Sequence, residues 1–379
     1  DPANIVFLWE RSALDGKANS NYIGQMVGTP LIVQTGNGSW SVLAGNGYNS
    51  AAGKAALLQF NAFTGALSVH AVPDASVDNG LAAPESWIRV ASTGISDMAY
   101  AGDLRGQVWA FDLSSPTSTG TLLFTARDAS NNRQPITTGM LASKDPASGN
   151  VWLFFGTGKY LTAADLADTS TQTWYGIIVQ PSSSSLVSNL GNGRSSLMQR
   201  AIVYESAPQT LSVNGTTTSL QGQRAFTPTP AASDMAGKSG WYIDLVSPGS
   251  GAQGERMVLP NQFQGSALIG TSRIPLATDV CNPTGQGWIM ALNPFSGTNL
   301  SATFFKFNAP QADTVVVTVG STSVTLPVSG VGSSSVPNAP IFVGNKMLTS
   351  YDNATTTSAN ITGSAGILTR VFWHRLIAP

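Results

Sequence analysis

Cysteine occurs once in the 379 residues, at Cys281, so no disulfide can form within the chain and metal or redox motifs built on cysteine pairs are excluded. For that thiol two readings stay open: a buried side chain, or a bridge to another part of a longer precursor. Charged residues make up only 10% of the chain, against about 25% in average soluble proteins. The formal net charge is −1 and the 19 Lys and Arg are scattered singly. No basic stripe is therefore offered to phosphate backbones or anionic lipid, and no nucleic acid is expected as a partner. No apolar run approaches the ~18–20 residues of a membrane span. No leader sequence stands at the start, where Asp1-Pro-Ala-Asn opens directly into a strand-like segment. With the exported character argued below, this leads us to expect the C-terminal part of a longer precursor.

In place of charge stand Gly, Ser, Thr, Asn and Ala, a balance suited to sheet surfaces and tight turns and common in exported proteins. An apolar fraction of 42%, with nine Trp, fifteen Phe and eight Tyr, is enough to bury a large core. A motif recurs: an apolar strand ending in an aromatic or Leu, a polar residue, then a turn rich in Ser, Pro and Gly. Clear copies are Leu58-Gln-Phe-Asn-Ala-Phe-Thr-Gly65, Trp109-Ala-Phe-Asp-Leu-Ser-Ser-Pro116, Trp241-Tyr-Ile-Asp-Leu-Val-Ser-Pro248 and Met290-Ala-Leu-Asn-Pro-Phe-Ser-Gly297. Weaker ones are Phe7-Leu-Trp-Glu10 and Tyr175-Gly-Ile-Ile-Val-Gln180.

The polar marks at positions 10, 61, 112, 180, 244 and 293 are spaced by 51, 51, 68, 64 and 49 residues. Each interval can hold a four-stranded sheet, the unit of a β-propeller. The spacing predicts one all-β propeller over residues 1–379, with about seven blades, six as the alternative, and insertions in the two long intervals. A copy at the N-terminus suggests that the first strand completes the last blade and hides a sheet edge. Hairpins are predicted over Thr210–Leu220, around Asn214-Gly215, and over Val315–Leu326, around Gly320. A helical turn or two is expected only over Thr162–Asp168. The Ser- and Gly-rich stretches Ser182–Ser196 and Ser329–Ala339 read as loops, candidates for contact with a partner or inert.

Several segments in fixed order carry a resemblance. They include Ala44-Gly-Asn-Gly-Tyr-Asn-Ser50, Asn79-Gly-Leu-Ala82, Tyr100-Ala-Gly-Asp-Leu-Arg-Gly-Gln-Val-Trp-Ala-Phe-Asp-Leu113, Phe124-Thr-Ala-Arg-Asp128 and Arg133-Gln-Pro-Ile136. Phe155-Gly-Thr-Gly-Lys-Tyr160, Trp174-Tyr-Gly-Ile177 and Gly240-Trp-Tyr-Ile-Asp-Leu245 continue the series. Together they make the chain resemble the C-terminal domain of the PilY/PilC family, exported proteins of type IV pilus tips and pilus assembly. Arg370-Val-Phe-Trp-His-Arg-Leu376 is similar to that family's closing strand. The resemblance implies an extracellular place at the pilus tip, reached through the periplasm and outer membrane. It implies minor pilins as partners, contact with host or abiotic surfaces, and a role in assembly, retraction and adhesion. On their own, the same residues read as blade scaffolding, with Gly45, Gly47, Gly102 and Gly106 at tight turns.

Relatives in that family often carry a calcium loop of the Asp-x-Asn-x-Asp-Gly-x-x-Asp kind before the Tyr-Ala-Gly-Asp motif. Here the stretch is Arg89-Val-Ala-Ser-Thr-Gly-Ile-Ser-Asp97, and three ligand positions hold Arg89, Ala91 and Thr93. Asp97 is the only carboxylate left. Calcium takes 6–8 oxygen ligands, several of them carboxylates. No calcium and no other cofactor is expected in this loop. Asp103, Asp112, Asp128 and Asp313 could each offer an oxygen elsewhere, but turn capping or solvation suits their settings better.

No catalytic residue is expected. The two histidines, His70 and His374, have no sequence signal joining them to a nucleophile and an acid. No Gly-x-Ser-x-Gly elbow or His-Glu-x-x-His helix is present. The enzyme alternative is a quinone-dependent dehydrogenase, whose repeat resembles Leu58–Gly65, but that family's paired cysteines and acidic cluster are missing. Two facing carboxylates of a glycoside hydrolase have no visible signature.

Overall fold

The computed structural model describes residues 6–362 apart from 37, 75–76, 116–117, 183–189, 191–192, 214–215 and 277–283. Strands dominate, and four short 3₁₀ turns are the only helical segments among the described residues. One is Ala163–Leu166, inside the stretch where a turn was predicted. There the Asp165 carboxylate accepts the N–H groups of Leu161 and Thr162, each at 2.9 Å.

Two sheets are simple meanders. Sheet one runs Leu31–Gln34, Trp40–Gly45, Ala56–Asn61, Leu67–Ala71, and sheet two runs Glu85–Trp87, Met98–Gly102, Gln107–Asp112, Thr121–Thr125, each strand antiparallel to the next. Sheet three begins the same way with Leu141–Lys144, Val151–Gly156 and Thr173–Gln180. Its next place is filled by Gly240–Asp244, with Met198–Arg200 outside it in parallel. Sheet four has six strands in the order Ile202–Ser206, Gly222–Phe226, Gly330–Ser333, Thr284–Leu292, Ala267–Leu276, Gln262–Gln264. Sheet five is Phe305–Lys306, Thr356–Ile361, Lys346–Ser350, Ile341–Val343. Two free hairpins, Gln209–Val213 with Thr216–Leu220 and Thr314–Val319 with Thr322–Pro327, match the two predicted ones. Gly320 turns the second with φ +65°, whereas Asn214-Gly215 lies outside the described residues.

The sheets stack face to face with a core between each neighbouring pair. Leu43 and Leu57 meet Ala101 and Phe111 between sheets one and two. Tyr100 and Phe124 meet Phe155 and Tyr175 between two and three. Trp174 and Trp241 meet Leu268 and Met290 between three and four, and Ile269 and Ile289 meet Phe305 and Ile361 between four and five. Central strands such as Val151–Gly156 are therefore buried on both faces and lose the apolar–polar alternation of a one-sided sheet. The opening strands of sheets one, two and three touch in succession, Leu31–Gln34 against Glu85–Trp87 and Glu85–Trp87 against Leu141–Lys144. This is blade packing.

Three expectations need correction. Phe7-Leu-Trp-Glu10 forms no strand. Its Trp9 instead docks on the turn after Ala56–Asn61: the ring stacks on Phe60 at 5.6 Å and the indole N–H donates to Ala62 O at 2.9 Å. The marks at Gln180 and Asp244 end two strands of one sheet, because the chain leaves sheet three after Thr173–Gln180, contributes to sheet four, and returns. Ser329–Ala339 is a loop only in part, since Gly330–Ser333 is an interior strand of sheet four. Its glycines are there for lack of room: a Cβ on Gly332 would stand 2.8 Å from the Trp288 ring, and one on Gly330 2.8 Å from Arg224 Cβ. The blade number, about seven from the spacing, includes terminal stretches partly outside the described residues. The closing stretch Arg370–Leu376, Cys281 and His374 lie there too.

Candidate functional site: the degenerate loop and two polar surfaces

The loop Arg89–Asp97 joins the first two strands of sheet two. Ala91–Thr93 makes a 3₁₀ turn that Gly94 ends at φ +66°. Asp97 is pinned on both sides of its own carboxylate. Its N–H donates to Trp87 O at 3.2 Å and its carbonyl accepts from Leu113 N at 3.0 Å. The Arg89 guanidinium then reaches Asp97 Oδ2 at 2.7 Å. Thr93 Oγ1 donates to Val90 O at 2.8 Å and accepts from Ile95 N at 3.2 Å. One carboxylate already matched by a guanidinium, and one hydroxyl occupied by main chain, do not fit the donor set of calcium.

The other acids named from the sequence stand apart from one another in their own turns. Asp103 is buried and accepts from the Trp109 indole at 2.8 Å, Asn79 Nδ2 at 2.9 Å and the N–H groups of Arg105 and Gln107. Burial raises its pKa, against the four hydrogen bonds that lower it. Asp112 accepts from Ser114, Asp128 from Asn132, and Asp313 from Lys306 and Phe307 N. Among the described residues no group of three or more His, Cys, Asp or Glu is placed to hold a metal ion.

His70 is the nearest approach to a nucleophile–base pair. Its Nδ1 lies 2.9 Å from Ser118 Oγ and its Nε2 2.8 Å from Gln59 Oε1. The ring is wholly buried, however, and Ser118 Oγ also donates to Asp112 O. Burial lowers the His70 pKa, so the ring is neutral near pH 7. What the geometry provides is a polar clasp between sheets one and two.

The described ends of Ser182–Ser196 are anchored. Ser182 N–H donates to Asn150 Oδ1 at 2.9 Å, and Leu190 is buried with its N–H on Leu123 O. Arg194 pairs with Asp244 and stacks 4.1 Å above the Tyr242 ring. These three groups, with Arg127 and Asp128, line a cavity of about 770 Å³. Each of these residues lies in a motif or loop named from the sequence, but nothing there joins them: Arg194 and Tyr242 meet only through the interleaving of sheet three. A second polar groove, of about 620 Å³, lies between sheet five and the Gln209–Leu220 hairpin.

Comparison with known proteins gives these surfaces a context. Residues 1–215 match the family model described as the PilY1 beta-propeller domain. The chain belongs to the PilY1 family. A type IV pilus biogenesis factor PilY1 homolog of Xylella fastidiosa is 39% identical over all of this chain and 28% of its own length. The type IV pilus biogenesis factor PilY1 of Pseudomonas aeruginosa is 31% identical over 80% of this chain and 28% of its own length. This chain thus spans little more than a quarter of those relatives. The crystal structure of the P. aeruginosa PilY1 C-terminal domain superposes with a TM-score of 0.73 at 25% identity, covering 96% of this chain and 77% of that one. The layered sheets are accordingly a PilY1-type β-propeller.

Proposed function

We propose that this domain serves in type IV pilus biogenesis as a non-catalytic propeller, held outside the cell at the pilus tip against minor pilins. There it favours extension over retraction and presents loops to host or abiotic surfaces. The observation that carries the reading is the match to a pilus biogenesis factor homolog along the whole of this chain. The stacked, doubly buried sheets support it, because they make a stiff frame on which loops can vary. A binding role is favoured over catalysis by the burial of His70 and the separation of the acids into individual turns.

Deletion of residues 1–379 from the full-length gene, with pili counted on cells whose retraction is intact or blocked, tests this. Surface pili should be lost and should return when retraction is blocked. Unchanged pilus number with collapsed adhesion per pilus would reassign the domain as an adhesive module alone. Loop Arg89–Asp97 takes no calcium in this reading, so millimolar calcium and a chelator should leave the melting temperature unchanged. A calcium-dependent rise of several degrees would refute that part.

A further inference from the structure

Sheet five ends in an incomplete edge. On one side Thr356–Ile361 pairs with Lys346–Ser350 from Ser350↔Thr356 to Lys346↔Asn360. On the other it meets Phe305–Lys306 only at Phe305↔Ile361 and Lys306↔Asn360. The cause is local. Past Lys306, Asp313 Oδ1 captures the N–H of Phe307 at 2.7 Å while its Oδ2 accepts from Lys306 Nζ at 2.8 Å, and the chain turns away from the ladder.

Successive residues of a strand present their N–H and C=O groups to opposite sides. Ile361 N–H donates inward to Asn345 O at 2.9 Å, and Thr362 N–H outward to Phe304 O at 2.7 Å. Alternation therefore turns the N–H and C=O of Thr356 and Ser358 to the side where, among the described residues, no further strand follows. Both residues are exposed. At roughly 3.3 Å per residue, the free edge from 356 to 359 offers about 13 Å of main chain.

That edge forms one wall of the 620 Å³ groove. The facing wall is the Gln209–Leu220 hairpin, tied to the turn after Lys306 by Gln311. The Gln311 amide donates to Gln221 O at 2.7 Å and accepts from Gln221 N at 3.0 Å. Hydroxyl and amide groups of Ser333, Ser335 and Asn353, with Tyr351, complete the lining. Among the described residues Lys306 is its one charged side chain, already matched by Asp313. An entering charge would lose hydration and meet no counterpart.

We propose that this groove takes an extended, uncharged segment of a second polypeptide, which adds to sheet five as a strand along Thr356–Ser358. The free main-chain edge favours a peptide over a glycan, for which the hydroxyl lining alone would also serve. The described chain ends at Thr362, at the end of the strand that Phe305–Lys306 already covers. The proposal goes beyond the pilus reading and does not depend on it.

The test is to pan a displayed library of linear seven-residue peptides on the full chain. Selected peptides, capped at both ends, are then titrated against the wild type, Ser358→Pro and Ser358→Ala. Proline at 358 removes an outward N–H and leaves the ladder to Lys346–Ser350 intact, a position where edge strands tolerate it. Affinity should fall at least tenfold on Ser358→Pro, hold on Ser358→Ala, and vanish when alternate peptide amides are N-methylated. Should Ser358→Pro fail to fold, N-methylation on the wild type decides alone. Enrichment of no peptide, binding indifferent to N-methylation, or equal binding to folded Ser358→Pro overturns the proposal. So does a photo-crosslinker at position 358 that labels residues 363–379 of the same chain.

Discussion

In sheets one and two every strand pairs with its neighbour in the chain, whereas sheets three and four accept Gly240–Asp244 and Gly330–Ser333 from far along it. The buried polar groups differ accordingly. Within its sheets the local half uses neutral or singly acidic clasps, His70 between Gln59 and Ser118, and Asp103 beneath the Trp109 indole. The interleaved half uses guanidinium–carboxylate pairs. Arg224 is fully buried, bidentate to Glu255 at 2.6 and 2.7 Å, bonded to Glu205 at 2.7 Å, and stacked 3.8 Å over Trp288. Arg200 is bidentate to Asp234 at 2.7 and 2.6 Å. A meander has its partner at hand. A strand returning from a distance has several edges open to it, and a wrong register would leave a charge buried and unpaired, at a cost of about 3–5 kcal/mol.

The largest effect that would break this contrast is at Arg224. Arg224→Met strands two carboxylates and should lower unfolding free energy by about 3–5 kcal/mol in a denaturant titration. Adding Glu205→Gln and Glu255→Gln should recover much of it. A triple variant no better than the single one would mean that the arginine acts through packing alone.

Next come the two docked indoles, one in each half. Trp9 sits on Asn61–Gly65 and Trp241 on Asn293–Gly297, each indole N–H on the carbonyl after the asparagine, at 2.9 and 2.7 Å. Both turns end in a glycine, at φ +68° and +66°, whose missing Cβ makes room for the ring. Trp241 is also buried against Trp174 and Phe154. Trp241→Ala should therefore cost about 3–5 kcal/mol, and Trp9→Ala, half-buried at the chain's start, about 1–2 kcal/mol. Equal losses would show that the dock itself, not the surrounding core, carries the energy.

The smallest effect belongs to the local half. Burial pushes the Glu85 carboxyl up to about 7, against one hydrogen bond from Ala142 N. The folded state then holds a proton that the unfolded chain releases near its ordinary value of 4.5. Stability from this group is full below pH 4.5 and declines as pH rises towards 7. Glu85→Gln should flatten that slope and gain stability at pH 8, with little change at pH 4, in denaturant titrations at the two pH values.

Much of the fold was legible because it is local. The polar mark of the repeat has a mechanism: Asn61 Oδ1 accepts from Phe63 N and Thr64 N, Asn293 Oδ1 from Phe295 N, and Asp112 Oδ1 from Ser114 N. A further turn of the same build, Asp145–Gly149, escaped notice because no aromatic strand precedes it. Arg89 opposite Asp97 was readable from the loop's missing acids. Strand Gly330–Ser333 was not, since glycine and serine read as linker until Trp288 and Arg224 are seen on either side. The free edge at Ser358 was equally hidden, because it arises where a neighbouring strand stops, and only Asp313 shows why.

The excursion of the chain between Gln180 and Gly240 has a consequence in time. During synthesis, sheets one and two can close as soon as their turns emerge, since their contacts are short in sequence. Thr173–Gln180 must wait as an open edge until Gly240–Asp244 has been made, while the segment between them searches for sheet four. The rate of acquiring the native state, and its exposure to mispairing on the way, should therefore be set in the middle of the chain.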